Sequence, residues 1–285
     1  MDEVIRVGGV PEHFNYPWRL AVAAGAFEDS GVIVNYSDYP GGTGAMADAL
    51  KRREIDAALM LTEGAVLDIA KGSGNRLVMV YVESPLTWGI HVAGNSDITS
   101  IDAIEGRPVA ISRYGSGSHL IAIVDALERG FAIDSLPFVV VDNLDGARRA
   151  LADGTADVFL WEKHMTQPLV DSGEFRRVGD REVPWPAFVV SVHPDILAQH
   201  AGALRRVLDA VARQAAEFRA RADAAERIAD AYNIGLNDAR AWLAGVRWGQ
   251  GYTMPGAAIE QVLGALRAQG AIESLPASLD ELWFA

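Results

Sequence analysis

The sequence contains no cysteine in 285 residues, and it has few positive charges and no long apolar run. Without cysteine the chain can form no disulfide, thiolate nucleophile, iron–sulfur cluster or cysteine-ligated zinc site. Lys and Arg number 25 against 38 Asp and Glu, and the formal net charge of −13 repels nucleic acid and anionic membrane surfaces. No apolar stretch approaches the roughly 18 residues of a membrane-spanning helix. We therefore expect neither a nucleic-acid partner nor a membrane span.

A secretory leader is also missing from the first residues. The stretch MDEVIRVGGV lacks a basic start followed by an apolar segment and a small-residue cleavage site. This pattern favours a cytoplasmic location. If the chain is instead a trimmed mature form, we expect a periplasmic protein with a transporter permease as a candidate partner. The sequence makes no prediction of oligomeric state.

What the sequence does contain is a series of short apolar runs separated by helical patterns. Runs such as VIRVGGV, DAALML and FVVVDN alternate with amphipathic segments, which is typical of βαβ units and mostly parallel sheets. The stretches ALKRREIDAAL at 49–59 and ALADGTADVFL at 150–160 share one helix–turn–strand pattern. Such a short pattern also recurs by chance in α/β proteins, but its setting favours a repeated half-domain. From about residue 198 the pattern is helical, so the predicted class is α/β with a helical C-terminal segment.

Ligand contacts in such folds are expected in the loops that follow strands, because parallel strands end beside helix N-termini at one edge of the sheet. Five of the six loops of this kind are rich in polar or aromatic side chains. The six loops are 11–18, 39–45, 62–64, 112–119, 142–146 and 161–165.

The loop SRYGSGSH at 112–119 has the composition of a binding site. It is not a nucleophile elbow, which needs G-x-S-x-G, and it lacks the lysine of a phosphate loop. Two interpretations remain: a plain helix cap at Ser118, or a pocket wall formed by the whole stretch. Its three hydroxyl groups, together with Arg113 and Tyr114, favour the wall. In that case we expect Gly117→Val to abolish binding by filling the space that the ligand needs.

Three segments of the chain carry a family resemblance. RVGGVPEHFNYPW, RPVAISRYGSGSH and ADVFLWEKHMTQPLVDSGEFRRVG resemble segments of type II periplasmic-binding-protein-like chains. The resemblance is to nitrate, sulfonate and thiamine-pyrimidine substrate-binding proteins of ABC transporters, and it extends over about residues 4–200. It implies a two-lobed α/β fold with two crossover strands near 88–94 and 186–192, closing on a ligand by hinge motion. Lobe 1 would comprise 1–90 and 190–285, and lobe 2 would comprise 91–189.

Metal binding and catalysis have weaker support in the sequence. The six histidines are scattered without H-x-x-x-H spacing, so we expect no metal site. Glu12 beside His13 has the chemistry of an acid–base pair, and His164 with Glu162 and Lys163 has that of a catalytic trio. The competing interpretation of both groups is that they position a ligand. Thiamine-pyrimidine synthesis is not expected, because the family members that perform it carry a cysteine-rich motif.

The aromatic and charged residues of the loops indicate the shape of the ligand. Trp18, Tyr39, Trp161 and Trp185 are expected to stack on a flat molecule, and Arg113 to pair with one acidic group. Trp242 and Trp248 fall in the helical tail and are expected to be packing residues.

We therefore predict a protein that clamps a small planar or monoacidic organic ligand between two lobes, without a cofactor. The alternative is a cytoplasmic enzyme of the same fold, acting on a cyclic metabolite by thiamine-pyrimidine or menaquinone-pathway-like chemistry, with Glu12, His13 or His164 as acid and base. The candidate ligand-binding residues are Glu12, His13, Trp18, Tyr39, Gly42, Thr43, Thr62, Glu63, Arg113, Tyr114, Ser116, Gly117, Ser118, His119, Asn143, Trp161, Glu162, His164 and Trp185.

Overall fold

The computed structural model describes residues 3–28, 31–133 and 136–284, and this part of the chain forms eight strands and ten α-helices. The strands are β1 (Glu3–Gly9), β2 (Val32–Asp38), β3 (Ala57–Leu61), β4 (Arg76–Ala93), β5 (Val109–Ile111), β6 (Phe138–Val140), β7 (Val158–Glu162) and β8 (Phe175–Val192). The helices are α1 (Tyr16–Ala23), α2 (Gly42–Lys51), α3 (Thr62–Ala70), α4 (Gly117–Arg129), α5 (Leu144–Asp153), α6 (Gln167–Asp171), α7 (Pro194–Arg219), α8 (Ala224–Tyr232), α9 (Leu236–Gly245) and α10 (Gly256–Ala268).

The described strands belong to one mixed sheet in the order β2-β1-β3-β8-β4-β7-β5-β6. Strand β1 is parallel to β2 and β3, and β5 is parallel to β6 and β7. The order is symmetric, with 2-1-3 on one side of the central pair β8 and β4 and 6-5-7 on the other. The two copies of the sequence repeat fall at corresponding places, in α2 with β3 and in α5 with β7. The predicted α/β class with a repeated half is confirmed; we call the β1–β3 half lobe 1 and the β5–β7 half lobe 2.

The central strands β4 and β8 are 18 residues long and run through both lobes. The sequence runs LVMVYV and GIHVAG, which read as two strands, are both parts of β4. In lobe 1 the C-terminal part of β8 pairs with β3, and in lobe 2 the C-terminal part of β4 pairs with β7.

The passage between the lobes differs from the prediction. The register between β4 and β8 is irregular from Val82 to Thr87, opposite residues 182–188. We call these stretches, 82–87 and 182–188, the crossing segments. Residues 88–94, predicted as a crossing, are already paired within lobe 2 up to Ala93. The physical reason is proline: Pro85 and Pro186 face each other, and neither can donate a ladder hydrogen bond.

The helices cover both faces of the sheet and bury its strands. Strand β3 is buried at its first four residues, which explains its continuous apolar sequence. The C-terminal helices pack largely on lobe 1, with α7 against α1 and α10 against α3 and β8. Within the described residues, no helix has the length and apolar character needed to cross a membrane.

Candidate ligand-binding site

A cavity of about 340 Å³ lies between the lobes, at the carboxyl ends of the parallel strands. Five of the six loops that the sequence singled out contribute to its wall, and the loop 62–64 does not. The lining residues are Val10, Pro11, Glu12, Pro40, Gly41, Gly42, Thr43, Leu61, Leu86, Trp88, Ser112, Arg113, Ser116, Gly117, Ser118, Asp142, Asn143, Leu144, Asp145, Trp161, Glu162, Met165 and Phe188. The volume is at the small end of the range for small-molecule pockets.

Three helices begin at the cavity wall. Helix α2 comes from lobe 1 and starts at Gly42 without a side-chain cap. Helices α4 and α5 come from lobe 2, and their caps Ser116 and Asn143 accept hydrogen bonds from the N–H groups of His119 and Gly146. Unpaired N–H groups at a helix start carry partial positive charge, so this wall favours an anionic group.

The N–H groups that the caps leave free are those nearest the cavity. In the described part of the chain, the N–H groups of Gly117 and Ser118 in α4 have no hydrogen-bond partner. The same holds for Leu144 and Asp145 at the start of α5. All four residues line the cavity. A ligand acceptor atom placed there would satisfy donors that the protein itself does not.

The three serines of the SRYGSGSH loop form hydrogen bonds with one another, so their hydroxyl groups do not act separately at the cavity. The Ser118 hydroxyl accepts from the Ser112 N–H at 3.0 Å and lies 3.1 Å from the Ser112 hydroxyl. It also lies 3.0 Å from the hydroxyl of Ser116, which is the helix cap. The cap is therefore Ser116 and not Ser118. The network fixes the loop so that its backbone, more than its hydroxyl groups, forms the wall.

Arg113 connects the two lobes across the cavity mouth. Its Nη1 donates to the carbonyl oxygen of Gly41 at 2.6 Å, from the β5–α4 loop to the loop before α2. A Cβ atom added to Gly44 would lie 2.0 Å from Nη2 of Arg113, so the absence of a side chain there makes room for the guanidinium group. The lobes are thus in contact in this structure, on the side of the cavity away from the crossing segments.

The crossing strands supply the apolar wall. Leu86 and Trp88 come from β4 and Phe188 comes from β8, and all three are buried. Trp88 is 4% exposed, and its Nε1–H group has no hydrogen-bond partner in the described chain. Trp161 of β7 is half-buried and stacks on Phe159 with ring centroids 5.2 Å apart. An aromatic surface is therefore available to a ligand.

Two carboxyl groups line the same cavity. Glu12 follows β1 in lobe 1, and Glu162 ends β7 in lobe 2. Burial raises the pKa of Glu12 to about 7. Burial and the nearby charge of Glu12 raise the pKa of Glu162 to about 8. Oε2 of Glu162 accepts a hydrogen bond from the Met165 N–H at 2.7 Å, which holds the side chain in place.

The candidate catalytic histidines lie behind this wall and not in it. His13 is fully buried, and neither of its ring nitrogens has a partner within the described residues. Burial, with a smaller contribution from His164, keeps the pKa of His13 well below its usual range, so its 3.7 Å approach to Glu162 is not an ion pair. Burial, with Lys163 and Arg177, lowers the pKa of His164 to about 4. Both imidazoles are therefore neutral near pH 7 and outside the cavity.

Comparison with known proteins agrees with this architecture. A family model described as Ca3427-like periplasmic binding protein matches residues 88–181. The Candida albicans CA3427 gene product, described as exhibiting the generic periplasmic binding protein fold, superimposes with a TM-score of 0.91 at 24% identity, over 99% of this chain and 96% of that one. This chain has the periplasmic-binding-protein fold. The resemblance inferred from its sequence segments is confirmed.

Bacterial proteins of the periplasmic-binding-protein fold also superimpose over nearly the whole chain. The alkanesulfonate-binding protein SsuA from Xanthomonas axonopodis pv. citri, bound to MOPS, has a TM-score of 0.84 at 16% identity and covers 99% of this chain and 98% of that one. The aliphatic sulphonate-binding protein SsuA from Escherichia coli has a TM-score of 0.76 at 17% identity, with the same coverage. No curated protein sequence matches the chain.

Ten of the 19 candidate residues line the cavity of this periplasmic-binding-protein fold. They are Glu12, Gly42, Thr43, Arg113, Ser116, Gly117, Ser118, Asn143, Trp161 and Glu162. The other nine lie elsewhere, and their positions have identifiable physical reasons. They are His13, Trp18, Tyr39, Thr62, Glu63, Tyr114, His119, His164 and Trp185.

Thr62, Glu63 and Trp185 are brought together, but beside a crossing segment and not in the cavity. The Thr62 hydroxyl donates to the Pro186 carbonyl, and Nε1 of Trp185 donates to Oε2 of Glu63 at 2.9 Å. Thr62 and Glu63 begin α3, whose first turn therefore holds β8 where it passes between the lobes. These residues are not cavity residues because their side chains are directed into this packing.

The remaining four residues have other structural roles. Trp18 is fully buried, with its ring 5.9 Å from Tyr36, because it lies on the inner face of α1. The ring of Tyr39 packs near Gly8 of β1, below the cavity. Tyr114 is 64% exposed, and its ring contacts His119, whose Nδ1 accepts from the Gly115 N–H at 3.1 Å.

The sequence interpretation missed Leu86, Trp88 and Phe188. It searched only the loops after strands, whereas these side chains come from the middle of the two crossing strands. The proline-rich stretches around them, ESPLTW and VPWPAF, are the signal that could have indicated an irregular strand at the cavity. Among the described residues, no group of three or more His, Cys, Asp or Glu side chains could hold a metal ion.

Proposed function

We propose that this protein is a solute-binding protein that holds a small organic molecule with one acidic group between its two lobes. The observation that carries the proposal is the cavity itself. It is walled by both lobes, and the starts of α2, α4 and α5 and a single arginine line it.

An acidic group on the ligand accounts for the donors at the helix starts. The free N–H groups of Gly117, Ser118 and Leu144 are fixed in the wall and need no rearrangement to bind an anion. Arg113 lies beside them, with Nη1 on Gly41 and its guanidinium group only half-buried. Such an arrangement favours a carboxylate or sulfonate over a neutral solute. That two proteins of this fold are named for sulfonate binding supports the same class.

The enzymatic alternative has less support. It needs Glu12, His13 or His164 as acid and base, and only Glu12 lines the cavity. A general acid or base must reach the reacting atom within hydrogen-bond distance or through one water. His13 is fully buried, away from any ligand in the cavity.

The proposal includes a relative motion of the two lobes. We propose that the two lobes move as bodies about the crossing segments at 82–87 and 182–188, in place of the boundaries near 90 and 190 expected from the sequence, and that the ligand stabilises the closed arrangement. The cytoplasmic location, and the permease partner of an exported form, stay predictions of the sequence.

The proposal is tested by calorimetric and thermal-shift titration with small sulfonates, carboxylates, heterocyclic acids and neutral pyrimidines. We expect compounds with one acidic group to bind and to raise the melting temperature. Arg113→Ala should weaken the binding of these compounds by roughly tenfold or more, because a hydrogen-bonded charge near the acid is lost. Arg221→Ala is the matched control, since Arg221 is an exposed arginine paired with Asp223 away from the cavity.

Three results would contradict the proposal. One is binding of neutral pyrimidines alone, and another is equal affinity of wild type and Arg113→Ala for every acidic compound. Conversion of a bound compound into a product would instead support the enzymatic alternative.

A further inference from the structure

The carboxyl groups of Glu12 and Glu162 form a second, chemically opposite part of the cavity wall. The two residues come from different lobes, and Glu12 is close enough for its charge to raise the pKa of Glu162. Glu162 is 4% exposed, and the Met165 N–H fixes one of its oxygens. In the described chain the Glu12 carboxyl group accepts no hydrogen bond. We call Glu12 and Glu162 the carboxyl pair.

In the described part of the chain no Lys or Arg forms an ion pair with the carboxyl pair, although the charge of Arg177 acts on Glu162 from a greater distance. Across residues 3–28, 31–133 and 136–284, no Lys or Arg nitrogen comes within ion-pair distance of either carboxyl group. Arg113 is bonded to Gly41 instead, and Lys163 is paired with Asp180. Two buried carboxylates without a counter-charge are costly. Without a ligand the carboxyl groups avoid this cost by holding protons, and a positive charge brought by a ligand would let both groups ionise.

A second observation points to an occupant of the same wall. Trp88 is more than nine-tenths buried and lines the cavity, yet its Nε1–H is unpaired among the residues the structure describes. Nε1 itself is shielded from the cavity in this arrangement, so the part of Trp88 that a ligand can contact is its ring. The faces of Trp88 and Trp161 would also attract a cation through their ring electrons. The wall therefore offers the free N–H groups of the helix starts to an acidic group. It offers the carboxyl oxygens and the aromatic faces to a cationic group.

We propose that Glu12 and Glu162 together bind a protonated nitrogen of the ligand, so that the solute is a zwitterion. Its acidic group lies at the helix starts of α2, α4 and α5, and its ammonium group lies between the two carboxylates. This inference rests on the proposed function, because it assigns the ligand class of the same cavity.

Because the carboxyl pair ionises, the inference predicts the direction in which ligand affinity changes with pH. With pKa values of about 7 and about 8, Glu12 and Glu162 hold protons near neutrality when no cation is bound. An ammonium ion favours the charged carboxylates, so its binding at about pH 7 releases protons and tightens as pH rises toward about 8. The other titratable groups facing the pair are His13, His164, Tyr36, Tyr232 and Arg177. Burial lowers the pKa of both histidines and raises that of both tyrosines, so none of these four changes charge in this interval.

The test compares ligands that differ only in the positive charge. The matched probes are piperidinylpropanesulfonate with cyclohexylpropanesulfonate, and aminopropanesulfonate with hydroxypropanesulfonate. Affinity is measured by calorimetry between about pH 6 and about pH 8, in buffers of different ionisation enthalpy so that proton release is counted. For wild type we expect the amine of each pair to bind at least roughly tenfold more tightly, with net proton release.

The variants assign the preference to the carboxyl pair. Glu162→Gln and Glu12→Gln should each lower the amine preference by roughly tenfold while leaving the affinity for the sulfonate without an amine nearly unchanged. In Glu162→Gln the new side-chain amide oxygen can still accept from the Met165 N–H, so folding should be retained, and a melting curve checks it. Glu273→Gln, an exposed change in the C-terminal segment, is the matched control.

The outcomes separate this inference from the proposed function. If both members of each pair bind equally, or if amine affinity falls as pH rises, the zwitterion inference is wrong and the proposed function stands. An amine preference that survives in both Gln variants would also overturn it. If none of the four probes, and no acid of the wider panel, binds wild type, the proposed function is wrong as well.

Discussion

At the scale of the single residue, Glu63 shows how a polar side chain can lie close to a cavity without belonging to it. Its carboxyl group is 3% exposed, accepts one hydrogen bond from Trp185, and has an unpaired Oε1 in the described chain. Burial raises its pKa to about 7, although hydrogen bonds from Trp185 and its own backbone act in the opposite direction. Glu63 is therefore a neutral acid in the folded protein at acidic pH.

This raised pKa predicts a stability that falls as pH rises. The folded protein holds the Glu63 proton more tightly than the unfolded chain, so the stabilisation is fully present below about pH 4.5 and is lost as pH rises through about 7. Glu12 and Glu162 act with the same sign. Between about pH 5 and about pH 8 we expect Glu63 to change the free energy of unfolding by roughly 2 kcal/mol. Urea unfolding at both pH values measures it.

The control for Glu63 is its neutral isostere. Glu63→Gln keeps an acceptor for the Trp185 N–H but cannot ionise, so the variant should lose that part of the pH dependence. Glu273→Gln, at an exposed position, should behave as wild type. An unchanged difference between the two pH values in Glu63→Gln would show that Glu63 ionises freely in the folded state.

Residue type alone indicates which side chains suit a ligand, but it does not give the place of each side chain. The sequence identified tryptophan as the stacking residue, and Trp161 does line the cavity. Trp18 and Trp185 are equally suited to stacking, but Trp18 packs from α1 against Tyr36, and Trp185 packs against α3. Local sequence does not distinguish these cases, because burial depends on which face of an element meets the rest of the fold. Trp242 and Trp248, expected to be packing residues, are buried.

At the scale of the element, the start of α4 explains why Gly117 has no side chain. A Cβ atom there would lie 2.6 Å from Leu61 of lobe 1 and 2.9 Å from the ring of Trp88. The sequence predicted that a larger residue would displace the ligand. The structure gives a different cause, because the new atoms would first meet side chains of the opposite lobe and of β4.

This contact predicts the effect of a minimal substitution. Gly117→Ala should force the lobes apart at α4 and weaken binding of an acidic ligand by roughly tenfold or more, whereas Ala is tolerated by the helix itself. Opening the lobes relieves the contact with Leu61 but not the contact with Trp88, which lies in lobe 2 with α4, so melting without ligand should fall only by the cost of moving the Trp88 ring. Gly264→Ala is the matched control, because Gly264 lies within α10 and a Cβ there meets no atom within 4 Å. Unchanged ligand affinity in Gly117→Ala would mean that Leu61 and Trp88 move aside.

The loops after parallel strands were predictable as elements, and the crossing strands were not. Strand alternation placed the SRYGSGSH loop and residues 142–146 at one edge of the sheet, and topology alone brings such loops together. The wall formed by Trp88 and Phe188 depends on where two long strands bend between lobes. That position is set by the register of β4 against β8, over residues far apart in sequence, and no local pattern reports it.

At the scale of the whole molecule, a repeat of eleven residues in the sequence indicated the symmetric order of the strands in the sheet. The repeat was informative because each helix–turn–strand unit places its strand parallel to a neighbouring strand. Two copies of the unit therefore indicate two similar halves of the sheet. The halves then need a connection, which β4 and β8 provide. The crossing segments contain Pro85 and Pro186 and have an irregular register, so they are the part of the sheet with the weakest ladder.

That connection, together with the contacts across the cavity mouth, predicts closure on ligand. The bond from Arg113 to the Gly41 carbonyl at 2.6 Å and the packing of Gly117 against Leu61 join the two lobes at the cavity. Without ligand, the unpaired helix-start donors favour an open, hydrated cavity. We therefore expect small-angle X-ray scattering to show a smaller radius of gyration for wild type with a tight ligand than without one.

The variants distinguish closure from a general change in shape. Arg113→Ala and Gly117→Ala should remain in the expanded form at ligand concentrations that close the wild type, while Arg221→Ala and Gly264→Ala should contract as wild type does. The ligand can shift the equilibrium only by its difference in affinity for the two forms, so a weakly bound probe should contract the protein only as it approaches saturation. Superimposable scattering profiles for free and saturated wild type would show that the lobes do not move, and the cavity would then be a preformed site.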